Sequence, residues 1–521
     1  QHLIEYNDQL QRKIYCSKSE QSKKIKKSND DYSLFEYCGL EVPDVNGEGK
    51  DESDGNDNEP DDEPDDEKSK RKRKRRRKSA SNKGKKNNNN VISDDLKRND
   101  IYLKSEETPI CECGTEKVKV GEEVVEKLRF VKGHFEVDVY HRDKFKCPNC
   151  EPPDGTNKFS YSQPLPPQII PNSLFGNSVV VDITINKFLY SIPYYRQAKI
   201  YSEMGVNLSR STMSRLVVEA YEICAPLLDL FLSDILNGEV INCDETPLQV
   251  MNEKDRENTK KSVFFALSGG TGGISRVFSY SDNKRQETVA DLIGNFKGYL
   301  QTDASSIYNI FKNNKNIIMV PCLAHIRRKF FETSKNKYSS ENSYCEKILS
   351  CINDIFFYEK ALRECNFTNE LFLSLRKEYI IPIMDYLKDL MNSIIMKIPQ
   401  SSLFGKALNY GSTLWNNMYN FLEHHRLSCS NMIVENQIRP VKIGLRNYLF
   451  AGSPKGAEAM ALFFSLIETA KLNLIEPSLY LNHIFDKIRN IPSDKLYTLL
   501  PWNCDLPRNY KFKSVYIDYY D

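Results

Sequence analysis

The segment Val240-Ile-Asn-Cys-Asp244-Glu-Thr246 decides the fold class, because it joins a short apolar strand pattern directly to an acidic side chain. A second segment, Gly298-Tyr-Leu-Gln-Thr-Asp303, repeats this arrangement further along the chain. Short apolar runs of this kind are typical of buried strands. Comparable runs predict further strands at residues 262–267, 276–280 and 317–320, and a helix at residues 287–296. This succession predicts a mixed sheet in an α/β protein.

Three acidic residues stand in contexts that suggest a shared site. Asp244 and Asp303 each follow a strand, so two strands of one sheet would present them side by side. Glu435 lies in Asn431-Met-Ile-Val-Glu-Asn-Gln-Ile-Arg439, a short helix that Pro440 is expected to terminate. Three carboxylates can hold one or two Mg²⁺ or Mn²⁺ ions for attack at phosphorus. Taken singly, each acid could instead be a turn, cap or ion-pair residue.

Four of the 14 cysteines form two close pairs, Cys111-Glu-Cys113 and Cys147-Pro-Asn-Cys150. Alternating apolar and polar residues between the pairs predict strands, so residues 101–157 are typical of a small β-rich ribbon. Four thiolates suit a structural Zn²⁺ and leave no open position for catalysis. The alternatives are four unrelated thiols, or a ligand supplied by His134 or His141. The scattered remaining cysteines favour a reduced, cytosolic protein.

Residues 172–236 show helical spacing with a glycine turn in the middle. Residues 193–204 predict one helix, Gly205 the turn, and Ser209 the N-cap of a second helix. Arg210 and Arg215 on that second helix could reach DNA bases or phosphates, as in a helix-turn-helix. An ordinary helical hairpin would have the same pattern.

The overall composition predicts several domains, with 521 residues, 40% hydrophobic and 28% charged, and a net charge of +2. This small net charge conceals an acidic block at residues 44–67 followed by a basic block at residues 68–86. We interpret the blocks as a disordered linker, the alternative being a nucleic-acid arm or nuclear-import-like signal. No apolar run approaches the length of a membrane span, and no secretory signal is visible.

Five motifs together resemble the transposases of the insertion sequence 66 family, over about residues 105–503. The motifs are Cys322-Leu-Ala-His-Ile-Arg-Arg-Lys-Phe330, Glu435-Asn-Gln-Ile-Arg-Pro440, Leu449-Phe-Ala-Gly-Ser453, Ser465-Leu-Ile-Glu-Thr-Ala-Lys471 and Leu499-Leu-Pro-Trp-Asn503. The resemblance implies an RNase H-like catalytic domain with an Asp-Asp-Glu triad, which maps onto Asp244, Asp303 and Glu435. It also implies a helical insertion between the second and third acids, and it makes Cys322 and His325 supporting residues. One departure is Ala304-Ser305, where the family usually has Gly-Tyr; another is Gly444-Leu-Arg-Asn-Tyr-Leu449.

The predicted architecture is a multidomain α/β chain in which an RNase H-like mixed sheet with a helical insertion follows a zinc ribbon-like module and a helix-turn-helix segment. The predicted units are a helical segment (1–43), the linker (44–100), the zinc module (101–157), the helical DNA-binding region (158–236), the catalytic domain (237–475, with its insertion at about 335–428) and a C-terminal segment (476–521).

The predicted function is that of a DNA transposase, which binds the inverted repeats of a mobile element and cuts and joins strands with Mg²⁺ or Mn²⁺. Arg327, Arg328, Arg439 and Lys455 are candidate DNA contacts besides the two helical arginines. We expect a homo-oligomer in the DNA complex, accessory proteins of the same element as possible partners, and a cytoplasmic location, or a nuclear one in a eukaryotic host. The alternatives are a catalytically silent DNA-binding protein and a hydrolytic nuclease of the same fold.

Overall fold

The computed structural model describes residues 96–103, 109–131, 133–149, 160–272, 275–335 and 342–510. The predicted N-terminal helical segment, both charge blocks and Cys150 lie outside these ranges. Within them, no helix combines the length and the apolar character that crossing a membrane requires.

The first sheet contains a long hairpin, as the alternating pattern predicts. Its strands are β1 (Arg98–Leu103), β2 (Val118–Val131), β3 (His134–Lys146) and β4 (Ser160–Tyr161). The order is β1-β3-β2, with β4 pairing to β3; β1 runs parallel to β3, and β2 antiparallel. The first three residues of β1, 98–100, belong to the segment predicted as linker, so this strand begins before the predicted boundary.

Three helices follow, in the region where helical spacing dominates the sequence. They are α1 (Asn177–Phe188), α2 (Tyr194–Glu203) and α3 (Arg210–Leu236). Ser209 caps α3 as predicted, because its hydroxyl accepts a hydrogen bond from the amide of Thr212 at 3.1 Å. Gly205 provides the left-handed turn after α2, with φ of 85°.

The second sheet has five strands, and each predicted strand is confirmed. They are β5 (Val240–Gln249), β6 (Lys261–Gly269), β7 (Ser275–Ser281), β8 (Gly298–Thr302) and β9 (Ile317–Pro321), in the order β7-β6-β5-β8-β9. β5, β6 and β7 pair antiparallel, whereas β8 and β9 join β5 in parallel. The predicted helix before β8 is α4 (Gln286–Ile293), and a 3₁₀ helix, Ser306–Phe311, follows β8. The mixed sheet of the prediction is therefore confirmed.

Among the described residues, four α-helices lie between β9 and the segment that carries Glu435, in agreement with the helical pattern of residues 326–430. They are α5 (Leu323–Ser334), α6 (Asn342–Arg363), α7 (Asn369–Ile395) and α8 (Leu403–Met418). These helices share a buried apolar cluster that includes Ile352, Met384 and Trp415. Since the cluster also takes in Val320 of β9, the helical segment is packed against the edge of the second sheet.

The last α-helices of the described residues are α9 (Met432–Tyr448), α10 (Pro454–Leu472) and α11 (Pro477–Lys487), and a 3₁₀ helix, Ser493–Leu499, follows them. The prediction that Pro440 ends the helix of Glu435 is wrong, because α9 continues for eight residues beyond it. A proline inside a helix costs about 3 kcal/mol through the lost hydrogen bond and the ring clash. Val434, Ile438 and Val441 are fully buried along α9, and this burial on both sides of the proline offsets that cost.

Candidate functional site

Asp244 lies inside β5 rather than at its end, which corrects the sequence-based expectation. β5 continues to Gln249 because residues 242–249 pair with the long strand β6. The parallel pairing with β8 stops at Asn242, opposite Gln301, so Asp244 stands just beyond the end of β8. Asp303 follows β8 directly, as expected. The two aspartates therefore meet where β8 ends, and each offers a carboxylate oxygen within 4.8 Å of the other.

Glu435 lies on the first turn of α9, beside two residues from the start of α5. Its carboxylate, the thiol of Cys322 and the imidazole of His325 each offer an atom within 4.8 Å of the others. The distance from His325 Nδ1 to Glu435 Oε1 is 3.7 Å. Both atoms are buried, and neither has a hydrogen-bond partner among the described residues. Burial lowers the pKa of His325, although the charge of Glu435 opposes this effect.

The acids influence one another electrostatically. The pKa of Asp244 is raised to about 7, mainly by burial and in addition by the negative charges of Glu245, Asp303 and Glu435. A hydrogen bond from the amide of Glu245 to Asp244 Oδ1, at 2.8 Å, opposes the shift but does not cancel it. Like charges that are crowded in this way are expected where a protein holds a divalent cation.

Buried amides connect the strands of the two aspartates to the start of α9. Asn242 Nδ2 donates to Gln301 Oε1 at 2.9 Å and to Asn431 Oδ1 at 3.1 Å. Asn431 in turn donates through Nδ2 to the carbonyl of Cys243 at 2.9 Å, and its backbone amide donates to Cys322 Sγ at 3.1 Å. The three amide side chains are at most 2% exposed. They fix the N-terminal end of α9, and thus Glu435, against β5 and β8.

Charged residues of α6 and α7 also hold the backbone that leads into α9. Arg376 is fully buried, pairs with Glu359, and donates to the carbonyls of Phe421 and His424 at 2.7 and 3.1 Å. Arg363 pairs with Glu359 at 2.8 Å, and both arginines donate to the carbonyl of Leu427. The two guanidinium groups therefore fix the backbone that leads into α9 through several hydrogen bonds, since each offers several donors in a rigid plane.

Three residues of this site were not found by sequence reasoning: Glu245, Lys284 and Tyr308. Glu245 contributes a carboxylate oxygen within 4.8 Å of those of Asp244 and Asp303. Lys284 forms an ion pair with Glu245 Oε1, and the hydroxyl of Tyr308 donates to Glu245 Oε2 at 2.7 Å. The only sequence signal for Glu245 was its position next to Asp244. This signal points away from a shared site, because neighbouring side chains of a strand normally face opposite sides of the sheet.

Ala304, one of the departures from the family motif, has a left-handed backbone with φ of 61°. Glycine adopts this conformation without strain, whereas a side chain there costs about 1–2 kcal/mol. The turn is nevertheless held, because the amide of Ser305 donates to Asp303 Oδ1 at 2.8 Å and the hydroxyl of Tyr410 donates to the Asp303 carbonyl at 3.0 Å.

Three of the four paired cysteines converge beside the first sheet, before β2 and after β3. Cys111, Cys113 and Cys147 each offer a sulfur within 4.8 Å of the others, and the sulfurs of Cys113 and Cys147 are 3.8 Å apart. The fourth predicted ligand, Cys150, is not among the described residues. His134 is paired with a carboxylate of Glu136, and His141 with those of Asp100 and Glu122. The three thiols fit the chemistry of a structural zinc site.

The basic residues predicted to contact DNA occupy different environments. Arg210 and Arg215 are exposed at the start of α3, where Arg215 also pairs with Glu219 at 2.8 Å. Arg328 is exposed on α5, Lys455 is exposed and paired with Glu222, and Arg439 is partly buried on α9. Arg327 is only 8% exposed and donates to Asn353 Oδ1 at 2.8 Å. This burial argues against the predicted phosphate contact of Arg327, because its helix face packs against α6 rather than facing solvent.

The arrangement of acids suits a hard divalent cation better than a soft one. Carboxylate oxygens are the ligands that Mg²⁺ and Mn²⁺ prefer. Glu435 Oε1, which accepts no hydrogen bond among the described residues, and the ammonium of Lys284 beside Glu245 both indicate a position where positive charge is stabilised. Asp244, Asp303 and Glu435 could therefore hold such an ion. What a metal would supply there is activation of a water or hydroxyl and stabilisation of a leaving oxygen.

Comparison with known protein families gives three matches along the chain. The family model described as "Transposase IS66 family" matches residues 172–459, which include all three predicted triad acids. The "IS66 C-terminal element" matches residues 465–502. The "zinc-finger binding domain of transposase IS66" matches residues 109–151 and supports the predicted structural zinc.

Similar curated proteins include two from Sinorhizobium fredii (strain NBRC 101917 / NGR234). "Uncharacterized protein y4hP" is 27% identical over 429 residues, which cover 78% of this chain and 75% of that protein. "Uncharacterized protein y4qI" is 28% identical over 411 residues, covering 76% and 74% respectively. The similarity thus extends over most of each protein.

Proposed function

This chain belongs to the IS66 transposase family, and from that premise we propose that it is a DNA transposase with an Asp-Asp-Glu active site. Asp244, Asp303 and Glu435 are the catalytic acids, on an RNase H-like sheet interrupted by the helical insertion. The single observation that carries this proposal is the meeting of Asp244 and Asp303 at the end of β8, with the start of α9, which carries Glu435, hydrogen-bonded to their strands through Asn431.

In the proposed reaction, Asp244, Asp303 and Glu435 hold one or two Mg²⁺ or Mn²⁺ ions, which supply activation of the attacking oxygen and stabilisation of the leaving one. The remaining work belongs to the protein. The buried amides keep Glu435 against the strands of the two aspartates. His325, whose pKa burial lowers, lies beside Glu435 and is a positioning group: as a neutral imidazole with its proton on Nδ1, it can donate a hydrogen bond to that carboxylate.

Recognition of the element ends is assigned to the zinc finger and to the α2–α3 hairpin acting as a helix-turn-helix. The exposed Arg210 and Arg215 are placed on the first turns of α3, where such a recognition helix contacts DNA. Arg328 is exposed three residues from His325 and is a candidate for a phosphate contact at the catalytic site. Pairing of two DNA ends would require a homo-oligomer in the complex.

The test is cleavage and joining of DNA that carries the inverted repeats flanking the gene. The wild type should cut and join these ends with Mg²⁺ or Mn²⁺, and Asp303→Asn should abolish both steps while retaining DNA binding. Asp291→Asn, on the exposed side of α4, serves as the matched control and should retain activity.

Two other results would replace the proposal. Tight binding of the ends without cutting by the wild type in either metal would identify a catalytically silent DNA-binding protein. Cutting without any joining of a 3′-hydroxyl end to target DNA would identify a hydrolytic nuclease.

A further inference from the structure

Glu245 occupies an unusual position for the neighbour of a proposed catalytic aspartate. Consecutive residues of a strand normally point to opposite faces. Here the carboxylates of Asp244 and Glu245 both approach that of Asp303 to within 4.8 Å. β8 stops pairing with β5 at Asn242, so the sheet leaves room beside residues 244 and 245 for both side chains. Glu245 therefore reaches the same acidic site as Asp244, although its side chain is only 7% exposed.

The two oxygens of Glu245 have different kinds of partner. Oε2 accepts a hydrogen bond from Tyr308, whose side chain is almost completely buried and whose pKa burial raises well above its usual value. This phenol thus remains a donor and orients the carboxylate. Oε1 pairs with the ammonium of Lys284, which is a replaceable partner because its side chain is 44% exposed. A long, solvated lysine side chain can leave such a pair at little cost.

The loop that carries Lys284 is itself well held. It lies between β7 and α4, where the amide of Arg285 and the hydroxyl of Thr288 donate to Asn283 Oδ1 at 3.2 and 2.6 Å. The loop backbone therefore keeps Lys284 within reach of the acids while its side chain is free to move. The ammonium supplies one positive charge to this group of carboxylates. By Coulomb's law, the same carboxylates would bind a divalent cation more strongly than they bind the singly charged ammonium.

We propose that Glu245 is a further metal-binding carboxylate of this site and that Lys284 is its exchangeable counter-ion. In the absence of metal, Lys284 neutralises Glu245 Oε1; when a divalent cation binds, the lysine leaves and that oxygen joins the ligands supplied by Asp244 and Asp303. The inference rests on the proposed function for the identity of the site, but it concerns cation binding, which can be measured without any DNA reaction.

The experiment is titration of the full-length, zinc-replete protein with Mn²⁺, with free Mn²⁺ followed by electron paramagnetic resonance. Glu245→Gln preserves an acceptor for Tyr308 and should weaken Mn²⁺ binding at least about tenfold, as loss of a ligand does. Lys284→Met should strengthen it by about threefold or more, since a competing positive charge is removed. Weaker Mn²⁺ binding in both variants would mean that the ion pair only maintains the local structure, and that result would overturn the proposal.

Glu245→Asp separates ligation from the simple effect of charge. It keeps the negative charge but shortens the side chain, so it should weaken Mn²⁺ binding nearly as much as Glu245→Gln. An affinity equal to that of the wild type would show that Glu245 acts only through its field and would overturn the inference, as would a wild type that binds no Mn²⁺. If the wild type and variants bind Mn²⁺ as expected but the wild type never cuts DNA, the proposed function fails while this inference stands.

Discussion

Without added Mg²⁺ or Mn²⁺, the protein should lose stability as the pH rises through neutrality, because Asp244 then ionises among other carboxylates. Burial and its acidic neighbours raise the pKa of Asp244 from 3.8 to about 7 in the folded chain. A carboxyl group with a raised pKa binds its proton more tightly when folded. Its contribution to stability is therefore complete below the unfolded pKa and is lost as the pH rises through the folded one.

The size of the effect follows from these two values. From about pH 6 to about pH 8, the free energy of unfolding should fall by about 1.4 kcal/mol on account of Asp244 alone. Asp244→Asn cannot ionise and keeps the acceptor for the amide of Glu245, so its stability should not show this fall. Adding Mg²⁺ at the higher pH should restore the stability of the wild type, but that of the variant much less, because a bound ligand stabilises only the state that binds it.

The assay is urea unfolding followed by tryptophan fluorescence at both pH values, with no added divalent cation. Asp229→Asn, an exposed aspartate on α3, is the matched control and should follow the wild type. If Asp244→Asn loses as much stability as the wild type over this pH range, the acids are not crowded in the folded protein and the reasoning about the site is refuted.

Three further predictions concern the surroundings of the site. Asn431→Ala should lower the free energy of unfolding in urea by about 2–4 kcal/mol, since two buried partners lose their hydrogen bonds. It should also reduce DNA cleavage more than DNA binding. Equal losses of cleavage and binding would mean that Asn431 does not position Glu435. Ala304→Gly should raise the free energy of unfolding by about 0.5–1 kcal/mol by relieving the left-handed strain; a decrease would contradict the assigned backbone. Cys147→Ser should lower the zinc content by one ion per chain in elemental analysis and speed amide hydrogen exchange in the β2–β3 hairpin, whereas an unchanged zinc content would remove the thiol from the ligand set.

Arg363 and Arg376 connect the helices between β9 and α9 to the backbone that leads to Glu435. Both arginines share the buried carboxylate of Glu359 and donate to carbonyls in the backbone that precedes α9. The segment between β9 and α9 therefore helps to position the start of α9. Its core and its two guanidinium groups set the direction from which Glu435 approaches the sheet.

Local patterns in the sequence were sufficient for the elements themselves. The apolar runs predict all five strands of the second sheet, the Ser209 cap predicts the start of α3, and helical spacing predicts the helices between β9 and α9. These features depend on neighbouring residues, through alternation, capping and helical periodicity, and so they can be found without knowledge of the fold. The choice of Asp244, Asp303 and Glu435 also came from the sequence, through strand patterns and family motifs.

Tertiary structure decided the features that depend on residues distant in the chain. β5 continues past Asp244 because β6 is long enough to pair with it, and α9 continues past Pro440 because apolar residues on both sides of the proline are buried. Arg327 is buried by contacts with α6 that its basic motif does not reveal. Glu245 joins the acidic site because β8 ends early, and Lys284 and Tyr308 reach it from a loop and a 3₁₀ helix. Pairing length, burial and the meeting of separate elements are set by the packed chain as a whole, and no local pattern encodes them.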